Sequence, residues 1–176
     1  MTALESAYET LLGRRTVRSF RTQAVPQEIL ERILLAAKYA PSALGLQNRH
    51  FTVIEDRRFM DDIVAATGRN GGKFVPGHVP FYNAPDVVVL SAPKDFSYNR
   101  EDLGCAAQNI MLAAYALGLG SCYLGSIRPG LRDEAVLKRL NLPQNYLPFA
   151  GICIGYPAQE APAPKERRAD DVTWIR

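Results

Sequence analysis

The sequence predicts an α+β fold: a mixed sheet of about four or five strands flanked by helices. Three observations lead there. Leu103–Leu119 (LGCAAQNIMLAAYALGL) holds no Asp, Glu, Lys or Arg, and a helix that is apolar on every side is a buried one. At 1.5 Å per residue it spans about 26 Å, most of a small domain but short of a membrane crossing. SCYLGSI (121–127) follows at once and reads as a buried strand, and three more apolar runs, at 51–55, 87–91 and 149–155, alternate with helical patterns.

The elements follow in order. Leu4, Ala7, Tyr8, Leu11 and Leu12 form one apolar face of a first helix that Gly13 ends. In RRTVRSF (14–20), Val17 and Phe20 alternate with Arg18 and Arg21, as in an extended segment with its charges outward. Pro26 opens a second helix with Ile29, Ile33, Ala36, Ala37 and Ala40 as its buried stripe, and Pro41 stops it. Residues 57–66 predict a weaker helix. GRNGGKFVPGHVPFYNAP predicts a long irregular loop of the kind that often carries function. The long helix takes Asp102 as its N-cap and Gly118 and Gly120 as its stop. LRDEAVLKRLNLP predicts one short amphipathic helix. Residues 158–176 form an extended Pro/Ala-rich tail, and residues 1–176 form one domain without repeat or linker.

Composition narrows the function. The chain has 176 residues, 47% hydrophobic and 22% charged, enough for one core. A net charge of +3, scattered along the chain, does not argue for nucleic acid. Cys105, Cys122 and Cys153 lie in apolar runs without a CxxC, which predicts buried free thiols in a reducing compartment. The start lacks the apolar stretch of a secretory signal, so a cytoplasmic protein is expected, with no membrane partner.

The familiar catalytic motifs are absent: there is no dinucleotide GxGxxG after a strand, Walker loop, GxSxG or HExxH. His50 and His78 have no metal-ligand spacing, so no metal is expected. His50 reads as structural or solvent-facing, and His78 sits in the glycine-rich loop. What stands out is cations and a hydroxyl near both ends of the chain: Arg14, Arg15, Thr16 and Arg18, then Lys165 and Arg167. Such groups either hold a phosphate monoester or form a solvated face. Pro41, Ser42 and Ala43 are either an ordinary turn or a place where a flat ring can approach the backbone.

In this order RRTVRSF, the PSALGLQN loop with the helix before it, FYNAPDVVVL, DLGCAAQNIMLAAYALGLGSCYLGSI and GICIGYP closely resemble the short members of the nitroreductase family of FMN-dependent oxidoreductases. The resemblance covers about residues 10–168. It implies an intertwined homodimer with FMN at the interface, the long helix packing across the dimer axis. It further implies that Arg14, Arg15, Thr16 and Arg18 hold the FMN phosphate, ribityl chain and pyrimidine edge. Arg18 would place positive charge where negative charge appears on reduction. Pro41, Ser42 and Ala43 would reach the flavin of the other subunit, with Gln47 as the family's loop glutamine. Tyr123, Leu124 and Gly125 would pass the N5 and O4 edge, and Lys165 and Arg167 would form a late phosphate pair. No catalytic side chain is implied, because the flavin N5 does the chemistry.

Gly45-x-Gln47-Asn48-Arg49 departs from the family's NxQPW, and the chain lacks length for a helical lid, leaving the 68–82 loop (Asn70, Lys73, Phe74, His78) as the candidate cover. The leading expectation is transfer of hydride from NADH or NADPH through FMN to a small acceptor such as a nitroaromatic, quinone or enone. A non-catalytic protein that stores or senses flavin is the alternative, and a basic nucleic-acid binder is a third reading.

Overall fold

The computed structural model describes residues 3–176, with side chains from Ser6 onward. The order is α1 (Ala3–Gly13), α2 (Gln27–Lys38), β1 (His50–Ile54), α3 (Arg57–Arg69), β2 (Asp86–Pro93), α4 (Asn99–Ala116), β3 (Gly120–Leu124), α5 (Arg128–Leu131), α6 (Glu134–Leu140) and β4 (Tyr146–Gly155).

The four strands form one sheet in the order β1-β2-β4-β3, and every ladder is antiparallel. This corrects the expected mixed sheet. β2 and β3 do run parallel to one another, as a strand–helix–strand unit predicts, but β4 is inserted between them and pairs antiparallel with both. The parallel pairing among the described residues is a single bridge, Thr16 to Ser121.

β2 is buried along nearly its whole length because both faces are covered. Val87 and Val89 join α3, α5 and α6 on one side, with Phe59, Ile63 and Leu131. Val88 and Leu90 join α2 and α4 on the other, with Ile33, Ala107 and Ile110. The buried stripe of α2 is Leu30, Ile33 and Ala37, followed by Ala40, while Ile29 and Ala36 are half-buried, so the face is turned from the one expected.

Several expectations are corrected by these contacts. α4 begins at Asn99, which puts Asp102 inside its first turn rather than at the N-cap. Its end follows the sequence: Gly118 has φ +78°, its N–H reaches the Tyr115 carbonyl (3.0 Å), and the Leu119 N–H reaches that of Ala114 (2.8 Å), a Schellman stop. α4 is not buried all round within one chain. Gly104, Cys105, Gln108, Tyr115 and Ala116 leave an exposed strip, so Cys105 is not the buried thiol expected. Ala7, Tyr8, Leu11 and Leu12 of α1 are also exposed, and Leu4 lies outside the described side chains. The strand expected over 121–127 stops at Leu124, since Ile127 turns inward to start α5. The single helix expected after it is two, α5 and α6, separated by the Asp133 cap on α6. Residues 158–176 are exposed and carry no helix or strand.

Candidate functional site

At the C-terminal end of α4 the first basic segment is laid along β3. α1 stops at Gly13, where a Cβ would sit 2.5 Å from the Tyr115 hydroxyl, so a larger residue here would push that exposed ring aside. Thr16 then pairs with Ser121, and the Val17 N–H donates to the Ser121 carbonyl at 2.9 Å. Gly120 permits this approach, since a Cβ there would fall 2.6 Å from Val17 Cγ2. Extending the parallel register leaves Arg14 beside the end of α4 and carries Arg18 toward Tyr123. Four residues of extended chain separate the two arginines by about 13 Å.

The chain's last strand returns to the same place. The Arg21 N–H donates to the Tyr156 carbonyl (2.9 Å) and the Ala158 N–H to that of Ser19 (3.0 Å). Gln159, Glu160, Ala161 and Pro162 share a cleft of about 120 Å³ with Thr16–Ser19. The two ends of the sequence therefore meet here. Lys165 and Arg167 lie farther along the exposed tail, and Arg168 pairs with Asp170 at 3.1 Å.

The arginines of this segment are not equivalent. Arg14 is half-buried, and its Nε is buried without a hydrogen-bond partner. A buried donor left unpaired costs about 1–3 kcal/mol, and more when charged, so the position calls for an acceptor. Arg15 instead folds back, its Nη1 donating to the carbonyls of Leu12 (2.6 Å) and Arg14 (2.9 Å) at the end of α1. Arg18 is exposed, while Val17 and Phe20 are buried, as their alternation predicts.

At the N-terminal end of α4 lies the second group. Ala43 donates its N–H to Asp102 Oδ1 at 2.8 Å, and Asp102 is 5% exposed with Oδ2 buried and unpaired. The loop folds on itself through left-handed residues, Leu44 (φ +56°), Gly45 (+65°) and Gln47 (+54°). The Gln47 N–H reaches Ser42 Oγ (3.0 Å), and the Gly45 N–H reaches the Ser42 carbonyl (3.0 Å). Arg49, which departs from the family pattern, turns its guanidinium onto the carbonyls of Ala40 and Pro41 (both 3.0 Å). It thus closes the end of α2 and leaves Pro41, Ser42, Ala43 and Gln47 on a braced loop.

Joined to the basic segment by the Phe20 N–H, which donates to the Tyr82 carbonyl (3.3 Å), the 70–82 loop contributes a stack of rings. Phe74 lies flat on His78 (5.3 Å, 13°), and His78 meets Tyr82 edge-on (5.3 Å, 86°). His50 is half-buried on β1, edge-on to Tyr146 at 6.4 Å, in keeping with a structural part. Beneath Tyr82, burial raises the Cys122 thiol pKa, with Arg18 opposing, and burial holds that of Cys153 well up, so both stay protonated at neutral pH.

The two groups stand at opposite ends of one helix. Asp102 touches Ala43, whereas Tyr115, Gly118 and Leu119 line a cleft of about 150 Å³ with Arg15 and Val17. About 24 Å of helix axis separates Asp102 from Gly118.

The sequence profile of the Nitroreductase family matches residues 11–156. The chain belongs to the nitroreductase family. Among relatives in that family, a protein of Archaeoglobus fulgidus assigned by name to the NADH dehydrogenase/NAD(P)H nitroreductases is 32% identical over 161 residues, spanning 89% of this chain and 88% of its own. The oxygen-insensitive NADPH nitroreductase of Salmonella typhimurium is 32% identical over 161 residues, 85% of this chain and 65% of that protein. A crystal structure of a nitroreductase with bound FMN from Bacteroides fragilis superposes with a TM-score of 0.86 at 26% identity, covering 97% of this chain and 98% of that one.

Three residues that shape these two groups were not among those expected from the sequence. Asp102 read as a helix cap, since a carboxylate ahead of an apolar run satisfies that pattern. Arg49 registered only as a departure from the family, and Tyr82 carries no local signal because its placement depends on backbone turned through positive φ.

Proposed function

We propose that two copies of this chain hold FMN at each of two seams and act as an FMN-dependent NAD(P)H oxidoreductase on a small acceptor. The reading rests above all on Arg14, whose buried unpaired Nε calls for an acceptor, two residues before the segment Thr16–Ser19 that shares a cleft with Gln159–Pro162. The residues suit a phosphorylated flavin. Arg14 and Thr16 would take the phosphate, with Arg15 adding charge. Lys165 and Arg167 would come from the tail, and Arg18 would lie about 13 Å further on, at the pyrimidine edge beside Tyr123, Leu124 and Gly125. When bound, FMN supplies a two-electron centre that takes hydride from NADH or NADPH and passes it to a nitroaromatic, quinone or enone.

The chain's own residues bind and orient. The Arg18 charge lies where negative charge develops on reduction. Backbone at Tyr123–Gly125 passes the reactive edge, and the rings of the 70–82 loop wall the acceptor side. Pro41, Ser42, Ala43 and Gln47 stand about 24 Å of helix axis away, too far to close the same pocket within one chain, and the exposed strips on α1 and α4 offer the surface for a second copy. No helix among the described residues is long and apolar enough to cross a membrane.

The test is anaerobic. Purified protein is expected to be yellow and to bleach with NADH or NADPH, then recolour with a quinone or nitroaromatic. Yellow protein that neither nucleotide bleaches would favour the storage reading, and colourless protein that FMN does not colour would remove both. Association addresses the seam. Sedimentation of the FMN-loaded protein is expected to give the mass of two chains, and a single chain that keeps FMN would remove the two-chain site.

A further inference from the structure

α5 is a short helix that α3 holds in place. Ile127 and Leu131 are buried, and a Cβ at Gly130 would overlap the Ile63 carbonyl, so α5 lies directly on α3. Its first residue is tied to the end of β3, the Arg128 N–H donating to the Gly125 carbonyl at 3.2 Å. Arg128 and Arg132, one turn apart, both close on Phe149 of β4. β3 ends with Leu124 opposite Gly151, and beyond that point Arg128 Nε donates to the Phe149 carbonyl at 2.8 Å. The Arg132 guanidinium lies over the Phe149 ring, 5.3 Å from its centroid.

Two positive groups are thus gathered at one aromatic residue. Among the described residues the ion pairs are made by Arg57, Arg69, Arg139 and Arg168, and none by these two. The adjacent acid, Asp133, is taken by Arg69 (3.3 Å) and Asn70 (3.2 Å) and caps α6. Like charges one turn apart repel. Partial burial lowers the Arg132 pKa and the Arg128 charge adds to this, yet an arginine keeps its proton at neutral pH. Both residues are exposed, so an anion can reach them. An anion between the two would relieve the repulsion, and guanidinium forks match the oxygens of a phosphate.

Their place says which anion. Arg128 comes three residues after Gly125, where the backbone leaves the flavin's reactive edge on the reading above. A nicotinamide that gives its hydride at that edge brings its diphosphate into the same neighbourhood. The sequence has no GxGxxG after a strand, so those phosphates need partners other than a glycine-rich helix N-terminus. We propose that Arg128 and Arg132 form an anion site beside the flavin that grips the phosphates of the incoming nicotinamide dinucleotide. The inference rests on the FMN reading and adds to it how the electron donor is held.

The experiment is anaerobic stopped-flow reduction of the FMN-loaded protein by NADH, NADPH and reduced nicotinamide riboside, which carries no phosphate. Arg132→Gln, which leaves the Phe149 hydrogen bond in place, is expected to raise the apparent Kd for both dinucleotides about tenfold, the worth of one charge-assisted hydrogen bond. The limiting rate should stay within about twofold, and Arg132→Lys should recover part of the affinity. Adding Arg128→Gln should weaken both dinucleotides further, so that their advantage over the riboside shrinks at each step. Unchanged dinucleotide affinity in the double variant overturns the proposal, as does a parallel loss with the riboside, which would mean a disturbed Gly125 edge. A double variant that keeps its dinucleotide affinity but discriminates against nitrobenzoate relative to nitrobenzene also overturns it, moving the anion to the acceptor. In each of these cases bleaching of the wild type leaves the oxidoreductase reading intact, whereas wild-type protein that binds no FMN overturns both.

Discussion

The two ends of α4 solve opposite problems. At its C-terminal end the polar groups are left wanting: Arg14 Nε is buried without an acceptor, Arg18 faces outward, and the tail passes alongside with its cations exposed. At its N-terminal end most are engaged on the chain itself: Asp102 holds Ala43 through Oδ1, with Oδ2 left over, Ser42 holds Gln47, and Arg49 closes the carbonyls that end α2. On the proposed reading the first end receives the charge of the flavin, and the second presents a braced backbone. Unpaired buried donors are costly, so a chain keeps one where a ligand completes it. A loop with three left-handed residues keeps its shape only if its hydrogen bonds are internal.

That contrast can be tested by substitution. The largest effect is expected at the receiving end. Arg14→Ala should weaken FMN binding by about 1.5–3 kcal/mol, roughly ten- to a hundredfold, in a fluorescence-quenching titration. Arg15→Ala should cost less, because its Nη1 is engaged on the Leu12 and Arg14 carbonyls. Arg167→Ala should weaken FMN as well, and equal flavin occupancy in wild type and both Arg14→Ala and Arg167→Ala would mean the phosphate lies elsewhere.

Gly120→Ala comes next, because its Cβ overlaps Val17 and pushes the basic segment off β3. Overpacking of this kind costs about 1–3 kcal/mol, so both the melting temperature and FMN retention should fall. A melting temperature that drops with FMN affinity unchanged would separate the segment's packing from its binding role.

Asp86 belongs to neither end and serves as a control. Burial raises its carboxyl from 3.8 to about 6, with the Glu55 charge adding to the rise and the Val25 N–H opposing it. Between pH 4 and 6 the folded chain keeps a proton that the unfolded chain gives up, so stability falls as pH rises through that window. Asp86→Asn should therefore stabilise by about 2 kcal/mol at pH 8, with the gain vanishing below about pH 4. Thermal melts across pH check this, and a gain independent of pH would assign the effect to packing.

The smallest effect is expected at the braced end. Asp102→Ala should cost about 1 kcal/mol of stability and loosen the Pro41–Gln47 loop, while Asp102→Asn, which still offers an oxygen to the Ala43 N–H, should restore most of it. Hydrogen exchange at the Ala43 amide reads this bond directly, and protection unchanged in Asp102→Ala would show that the loop is held by Ser42 and Arg49 alone.

Much of this was legible in the chain itself. The charge-free run of α4, its Gly118 stop, the apolar run 87–90 of β2, the extended basic segment with Val17 and Phe20 inward, and the family blocks are all local patterns. Periodicity and turn chemistry act over a few residues, so they survive being read in one dimension. Sheet order is a different matter. Nothing in GICIGYP states that it slots between VVVL and SCYL, and that insertion turns the expected mixed sheet antiparallel.

Only the folded molecule decided which polar groups are satisfied. Asp102 matches a cap pattern but braces a loop contributed by residues some sixty positions earlier, and Arg14 and Arg15, neighbours of identical type, part company because one side chain finds carbonyls and the other does not. Hydrogen bonding and desolvation depend on what is near in space, and long-range neighbours are set by packing rather than by spacing along the chain.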